Sequence, residues 1–327
     1  MLFSSNNLRE SILRLFNECL RVEIYPWKTS IITPLHKKGS IYNPDNYRAI
    51  AIASNLGKLF ASILLKRLIE FRHKNCPDTP NQLGFCKNAQ TSDHILTLHT
   101  CIEKYTEYIS KGRLYTCFID YAKAFDSVCR EALFYKLWSM GITGRFFGCL
   151  NYMYTNSKAK IKLLDKLSSK IEILCGTEQG HPLSPELFKC YIQDLSDTFN
   201  NTDGLNAPRL NDIEVNHLLW ADDLILMALD KESLQRMLNI LLEYCLEWGL
   251  TINYSKTAIM IFSKSGRQLK ESFEFFYCDH NIQSVRQYCY LGIVFSLSGS
   301  FIAAQQKLRQ KGMQCCFSLK KLLISEQ

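Results

Sequence analysis

Asp120 ends an apolar run, Leu114 to Ile119, while Asp222 and Asp223 stand together inside another, Val215 to Leu229. An acid at the exit of a buried strand is held in place well enough to bind a metal, or it caps the next element. Two adjacent acids between Leu218, Leu219, Trp220 and Leu224, Ile225, Leu226 repel each other in an apolar setting unless a cation neutralises them. The other reading is a solvated turn, which Asp favours. One acid from a strand and two from a hairpin can share a pair of hard, oxygen-seeking Mg²⁺ ions. Such ions, about 3.5–4 Å apart, clamp the attacking and leaving oxygens of an in-line phosphoryl displacement. The protein then positions groups and neutralises charge, and nucleotide addition fits that chemistry.

These side chains need elements to hold them. Leu114 to Ile119 has strand length, and Val215 to Leu229 reads as a hairpin with the acids at its tip. Leu234, Leu238, Leu241, Leu242, Cys245 and Trp248 form a helical stripe that Asp230 caps and Gly249 ends. Upstream, Leu8, Ile12, Leu15, Phe16 and Leu20 predict a helix that breaks at Pro26-Trp27, before a strand-like Ser30 to Leu35 and a polar loop at Asn43 to Asn46. Helices are also predicted over Asn55 to Phe71, Ser92 to Tyr108, Arg130 to Met140 and from Pro182 to Phe199. Ala258 to Phe262 and Tyr288 to Phe295 read as strands, and Ala303 to Leu323 as a basic amphipathic helix or pair. Helices and strands mix without βαβ alternation, so the fold class expected is α+β. No repeat or linker is visible, and the subdomains must be interwoven.

The 327 residues suffice for a large core or several packed subdomains. Hydrophobic residues at 47% and charged residues at 21% exclude a disordered chain, and a net charge of +8 is a mild bias toward polyanions. The fourteen cysteines include no CxxC pair and no cysteine–histidine cluster of zinc-finger spacing, so free buried thiols in a reducing compartment are expected. Arg9, Glu10, Arg14 and Glu18 interrupt the first apolar pattern, which excludes a secretory signal. No uncharged run reaches the roughly 20 residues of a membrane span. A soluble, intracellular protein without a membrane partner is the expectation.

Seven blocks then occur in order. They are Ile31-Ile32-Thr33-Pro34-Leu35-His36-Lys37-Lys38-Gly39 with Asn46-Tyr47-Arg48-Ala49-Ile50, followed by Asn55-Leu56-Gly57-Lys58; Gln82-Leu83-Gly84-Phe85 through Thr91-Ser92-Asp93; Phe118 to Val128; Gln179-Gly180-His181-Pro182-Leu183-Ser184-Pro185; Trp220-Ala221-Asp222-Asp223; Gly249-Leu250-Thr251-Ile252-Asn253 with Lys256-Thr257; and Tyr290-Leu291-Gly292. This series resembles the reverse transcriptases of LINE-type (non-long-terminal-repeat, jockey-like) retrotransposons. The resemblance implies a right-hand polymerase with an antiparallel palm sheet packed on helices. Residues 1–112 would be fingers-like, 113–295 palm with fingers elements interleaved, and 296–327 the start of a truncated thumb.

It also implies roles. Asp120 and Asp222 would be the principal ligands of two Mg²⁺ ions (Mn²⁺ a possible substitute), with Ile119 beside them in the metal set and Asp223 secondary. Lys37 or Lys38 and Arg48 would hold the incoming triphosphate, for which the arginine fork suits phosphate oxygens. Gln179 and Gly180 would contact the nucleotide, Lys256 would protonate the leaving pyrophosphate, and Tyr290, Leu291 and Gly292 would form the primer grip. Phe125 stands where the family places a ring under the incoming sugar, and a ring there clashes with a 2′-hydroxyl, so the product would be DNA. The plainer readings are a solvated turn for Lys37-Lys38, a tight turn for Gly180, a surface lysine for Lys256 and a core ring for Phe125. The partners implied are an RNA template, a DNA primer and deoxynucleoside triphosphates, in cytoplasm or nucleus.

Trp220 stands where relatives carry Tyr or Phe, Ala49 where they carry Pro, and Cys86 where they carry Arg or Lys. An RNA-synthesising polymerase with the same palm, and a catalytically silent remnant that only binds nucleic acid, are the competing readings.

Overall fold

The computed structural model describes residues 6–107, 112–155, 157–266 and 273–325. From the N-terminus come α1 (Asn6–Arg21), β1 (Thr29–His36), β2 (Tyr47–Ile52), α2 (Asn55–Asn75), α3 (Thr91–Glu107) and β3 (Arg113–Asp120). The short α4 (Ala124–Ser127), then α5 (Arg130–Ser139) and α6 (Gly144–Tyr154), lead to β4 (Lys158–Leu163), β5 (Lys166–Leu167), β6 (Ile171–Glu172) and α7 (Ser184–Asn200). Next are β7 (Arg209–Leu210), β8 (Ile213–Glu214), β9 (His217–Trp220), β10 (Asp223–Ala228) and α8 (Lys231–Trp248). β11 (Ala258–Ser263), β12 (Phe276–Tyr277), β13 (His280–Asn281), β14 (Gln287–Tyr290), β15 (Ile293–Ser296) and α9 (Ile302–Ser325) follow.

The chain folds as two compact units. Met1–Thr79, Lys123–Asp194 and Glu247–Leu250 make the first; Pro80–Ala122, Leu195–Leu246 and Thr251–Gln327 make the second. Each is built from separated stretches, as the absence of a linker anticipated.

In the first unit β1 pairs antiparallel with β2 and parallel with β4, and β5 and β6 both pair β4. Pro34 is tolerated within β1 because pairing with β4 stops at Ile32 opposite Ile161, so its missing N–H faces no second neighbour. Beside this sheet Phe16, Tyr25, Trp27 and Phe60 pack ring against ring, at centroid distances of 5.0–6.3 Å. Arg72 is buried and paired with Glu186 and Asp78, and Lys189 reaches Asp78 at 2.7 Å, so these buried charges compensate one another.

In the second unit an antiparallel sheet runs β11-β3-β10-β9. β3 lies second in this order, and Leu114 through Ile119 are all buried, so the continuous apolar run covers both faces of the strand. Leu98, Cys101 and Ile102 of α3 pack with Leu114 and Phe118 of β3, Ile225 and Met227 of β10, and Met260 and Phe262 of β11. Asp230 caps α8, accepting from Ser233 N at 2.7 Å.

Two expectations change, for Tyr288 to Phe295 and for the cysteines, and one hairpin was not expected. Tyr288 to Phe295 is not one strand but the β14–β15 hairpin, because Leu291 (φ 45°) and Gly292 (φ 87°) form a two-residue turn with both central φ values positive. Leu163 to Lys166 turns β4 back as β5, a hairpin unmarked by Gly or Pro, and the strict Lys/apolar alternation of Lys158 to Leu163 was its only signal. The cysteines are free, and Cys149, Cys190 and Cys245 are buried, but Cys175, Cys278, Cys289, Cys315 and Cys316 are exposed. Tyr108, the predicted end of α3, lies outside the described residues. Among those residues no helix is long and apolar enough to cross a membrane.

Candidate active site

The acids assemble in the second unit. Asp223 lies directly opposite Asp120 across β3–β10, and Trp220 directly opposite Asp223 across β9–β10. Opposed residues share one sheet face, so Trp220, Asp223 and Asp120 form a row. The β11 pairing sets Ala258 against Phe118, and two residues earlier Lys256 closes the row. Its Nζ donates to both Asp120 carboxylate oxygens, at 2.8 and 3.1 Å. The turn carrying Lys256 is fastened to the same aspartate: Asn253 N donates to Asp120 O at 2.7 Å, and Lys256 N and Thr257 N donate to Asn253 O.

Only Asp222 sits in the hairpin turn proper; Asp223 is already the first ladder residue of β10. The loop is Ala221-Asp222, with Ala221 at φ 57°. A positive φ at the first central position matches the right-handed twist of the flanking strands, but costs a residue with a Cβ about 1 kcal/mol. The neighbouring segment holds that turn. Gln82 Oε1 accepts from Gly84 N at 2.8 Å and Ala221 N at 3.3 Å, while Leu83 N donates to Leu219 O and Leu219 N to Asn81 O. A Cβ on Gly84 would come within 2.1 Å of Ala221 N, so only glycine fits.

Burial, and then the charges of Asp222 and Asp120, push the Asp223 carboxyl up to about 6, with Lys256 opposing. The phenols of Tyr288 and Tyr290 are pushed up by burial and next by Asp223. Tyr290 of the predicted primer grip, and Tyr288 beside it, are therefore close enough to feel Asp223. Tyr290 is buried with its Oη 3.2 Å from His94 Nδ1, Tyr288 stacks on Phe118 at 4.3 Å, and Leu291 and Gly292 form the turn. Ile119 is paired with Leu224, buried and apolar, so a main-chain carbonyl is all it offers a cation. Among the described residues no three acid, histidine or cysteine side chains are gathered closely enough to hold a metal ion; the assembled part is the opposed pair Asp120 and Asp223. All-oxygen donors of like charge, one of them reluctant to ionise, fit a hard divalent cation.

The other predicted residues lie in the first unit. Lys37 and Lys38 follow β1 on an exposed turn closed by Lys37 N to Asn46 O at 2.8 Å. Arg48 is exposed on β2, opposite Leu35. Phe125 is half-buried, its ring 4.7 Å from that of Phe188. Gln179 Nε2 donates to both carboxylate oxygens of Asp126, at 3.1 and 3.0 Å, and Ala51 N donates to Gln179 O at 2.8 Å. Gly180 has φ 97°, and a Cβ there would lie 3.0 Å from Ala51 O. Sequence reasoning assigns Asp126 no role beyond its place at the end of the Phe118 to Asp126 stretch; the fold sets it against Gln179, its carboxyl pushed up by burial and pulled down by Gln179 and nearby lysines. Nor does the sequence mark Gln82 and Gly84 as supports of the acidic turn; they lie 139 and 137 residues before Ala221, and no local pattern records the contact.

A family profile, "Reverse transcriptase (RNA-dependent DNA polymerase)", matches residues 35–295. The chain is 28% identical over 284 residues to the "Retrovirus-related Pol polyprotein from type-1 retrotransposable element R2" of Popillia japonica, covering 84% of this chain and 38% of that protein. It is 25% identical over 305 residues to the "RNA-directed DNA polymerase from mobile element jockey" of Drosophila funebris, covering 89% of this chain and 31% of that one. It thus spans about a third of these relatives' length. Among solved structures, apo telomerase from Candida tropicalis superposes with a TM-score of 0.57 at 13% identity, covering 84% of this chain and 54% of the telomerase. Telomerase in complex with a TWJ fragment of telomeric RNA gives 0.56 at 12%, covering 90% and 49%. The fold is that of a right-hand polymerase, and the chain belongs to the reverse transcriptase family, in keeping with the LINE-type resemblance of its motifs.

Proposed function

We propose that this chain is the polymerase core of an RNA-directed DNA polymerase of a non-long-terminal-repeat retrotransposon, adding deoxynucleotides to a primer 3′-hydroxyl on an RNA template. The observation that carries the reading is Asp223 set directly opposite Asp120, with Lys256 on the Asp120 carboxylate. Divalent metals are the cofactor class of this family, and two Mg²⁺ ions, or Mn²⁺ in their place, are the ions proposed here. When bound, they supply Lewis-acid neutralisation of the attacking and leaving oxygens. Asp120 and Asp222 would hold them, with Asp223 and the Ile119 carbonyl as further oxygens.

Lys256 is the proton donor for the departing pyrophosphate. Arg48, with Lys37 or Lys38, binds the triphosphate, Gly180 touches the nucleotide and lets backbone approach the template, and Phe125 stands against a 2′-hydroxyl. Gln179 acts through its main chain and Oε1, since its Nε2 is held by Asp126. Tyr290, Leu291 and Gly292 place the primer end. In this reading residues 1–112 are fingers-like, 113–295 palm and 296–327 thumb.

The test is primer extension on an RNA template with Mg²⁺, beside an Asp222→Asn control. Extension by the native chain and none by the control supports the reading. Salt-dependent RNA binding without extension by either would reject it in favour of a nucleic-acid-binding remnant.

A further inference from the structure

Glu178 and His181 flank the Gln179-Gly180 dipeptide, and both line a cavity in the first unit together with Tyr25, Trp27 and Tyr154. The cavity leaves about 10 Å³ for the centre of a water-sized body, which is room for one water and nothing larger. Tyr25 Oη, Tyr154 Oη and His181 Nε2 are buried there without a hydrogen-bond partner among the described residues. These residues are 3%, 4% and 6% exposed, so bulk solvent does not satisfy them. Ser184 Oγ lies close enough to Tyr154 Oη to oppose the burial-driven rise of its phenol, but its hydrogen is given to Glu178 O at 2.7 Å.

His181 Nδ1 accepts from Leu183 N at 3.4 Å, so Nε2 carries the ring hydrogen and is a donor. Both tyrosines also have a hydrogen to give. The acceptor in the cavity wall is the Glu178 carboxylate, which among the described residues accepts a long bond from Ser30 Oγ at 3.4 Å. Burial pushes the Glu178 carboxyl up and the His181 imidazole down to about 4, leaving His181 neutral near pH 7. Inward-pointing N–H and O–H groups repel a cation, and one carboxylate offers too few oxygens for it. A water can accept two of these three hydrogens, donate one of its own to Glu178 and give the other to the oxygen of a remaining tyrosine.

We propose that this cavity is a binding site for a single structural water, which accepts from two of Tyr25, Tyr154 and His181, donates to Glu178, and braces the Gln179-Gly180 loop from behind. The front of that loop is already fixed by Ala51 N on Gln179 O and by Asp126 on Gln179 Nε2. The water joins it to the segment after α1, which carries Tyr25, and to the end of α6, which carries Tyr154. These tyrosines and His181 are positioning residues, not catalytic ones.

A crystal structure of the full chain tests the site directly. A peak within hydrogen-bond distance of at least three of the four groups supports it; no peak, or anomalous signal there after soaking in Rb⁺ or Tl⁺, overturns it. The bracing role rests on the proposed polymerase function and is tested with the Tyr25→Phe/Tyr154→Phe double variant, which keeps both rings. The KM for deoxynucleotide should rise about threefold to tenfold, the loss of one or two hydrogen bonds, while kcat and RNA affinity change less than about twofold. An unchanged KM, or an equal loss in kcat and RNA affinity, overturns the bracing role. Failure of the native chain to polymerise would reject the function, but would leave the crystallographic result standing.

Discussion

Lys256 grips both carboxylate oxygens of Asp120, at 2.8 and 3.1 Å, on the sheet face where Asp223 stands opposite the same aspartate. One carboxylate is thus set between a cation and an acid. This arrangement gives Lys256 the reach to move a proton at the acids, while burial and the neighbouring acids push the Asp223 carboxyl up against its pull. General acid catalysis typically contributes on the order of 10²–10⁴ in rate. Lys256→Met should therefore lower kcat by roughly 10²-fold or more, with the KM for deoxynucleotide little changed. Lys256→Arg separates charge from proton donation, because arginine keeps the cation but does not release its proton. Single-nucleotide incorporation should be about as slow in the Arg variant as in the Met variant; recovery to the native rate would reduce Lys256 to a neutralising charge.

Asp223 makes stability depend on pH. Its folded-state carboxyl is raised to about 6, above its ordinary value of 3.8. A raised acid favours the protonated form when folded, so its penalty is absent below about pH 4, grows between about pH 4 and 6, and is constant above. In chelator-treated protein, Asp223→Asn should be more stable than native by on the order of 1–2 kcal/mol at pH 7.5, a figure reduced for partial solvent screening. Urea unfolding of both proteins at pH 4.5 and 7.5 reads this, and the gap should narrow to well under half at the lower pH.

Gly84 is predicted to be irreplaceable for a reason separate from the chemistry. Gly84→Ala places a methyl 2.1 Å from Ala221 N, and backbone cannot yield as a side chain can. The cost should be about 1–3 kcal/mol of stability, with a disproportionate loss of activity as Asp222 is displaced. Ala221→Gly, which relieves the positive φ, should be neutral or stabilising by less than about 1 kcal/mol and remain active. Thermal unfolding and primer extension on the two variants decide whether the acidic turn is held as described.

The Phe125 ring, braced by Phe188 at 4.7 Å, is the proposed discriminator against ribonucleotides. Phe125→Ala should lower the ratio of kcat/KM for a deoxynucleotide over its ribonucleotide by about tenfold to a few hundredfold. If the ratio holds while the protein merely loses stability, Phe125 is a core ring and nothing more.

Much of this was legible because local patterns carried it. The buried run ending at Asp120 and the stripe of α8 with its Asp230 cap follow from periodicity and capping, and both are present. The acids could be recognised, but their arrangement could not: that Asp223 faces Asp120 is a matter of strand register, which joins residues 103 apart in the chain. Likewise Gln82, Gly84, Asp126 and the inward side chains around Glu178 act through contacts that exist only once distant segments meet. The β14–β15 turn was missed because Leu291 adopts a positive φ that its residue type rarely takes.

The central claim is that Asp120 and its opposed partner serve nucleotide addition. Its most direct measurement is single-turnover incorporation of one deoxynucleotide on an RNA template with Mg²⁺, comparing the native chain with Asp120→Asn, alongside RNA affinity for both. The account predicts at least a ~10³-fold loss of rate in the variant, as for removal of a charge that stabilises the transition state, with RNA affinity unchanged within about twofold. Equal rates in the two proteins would contradict it.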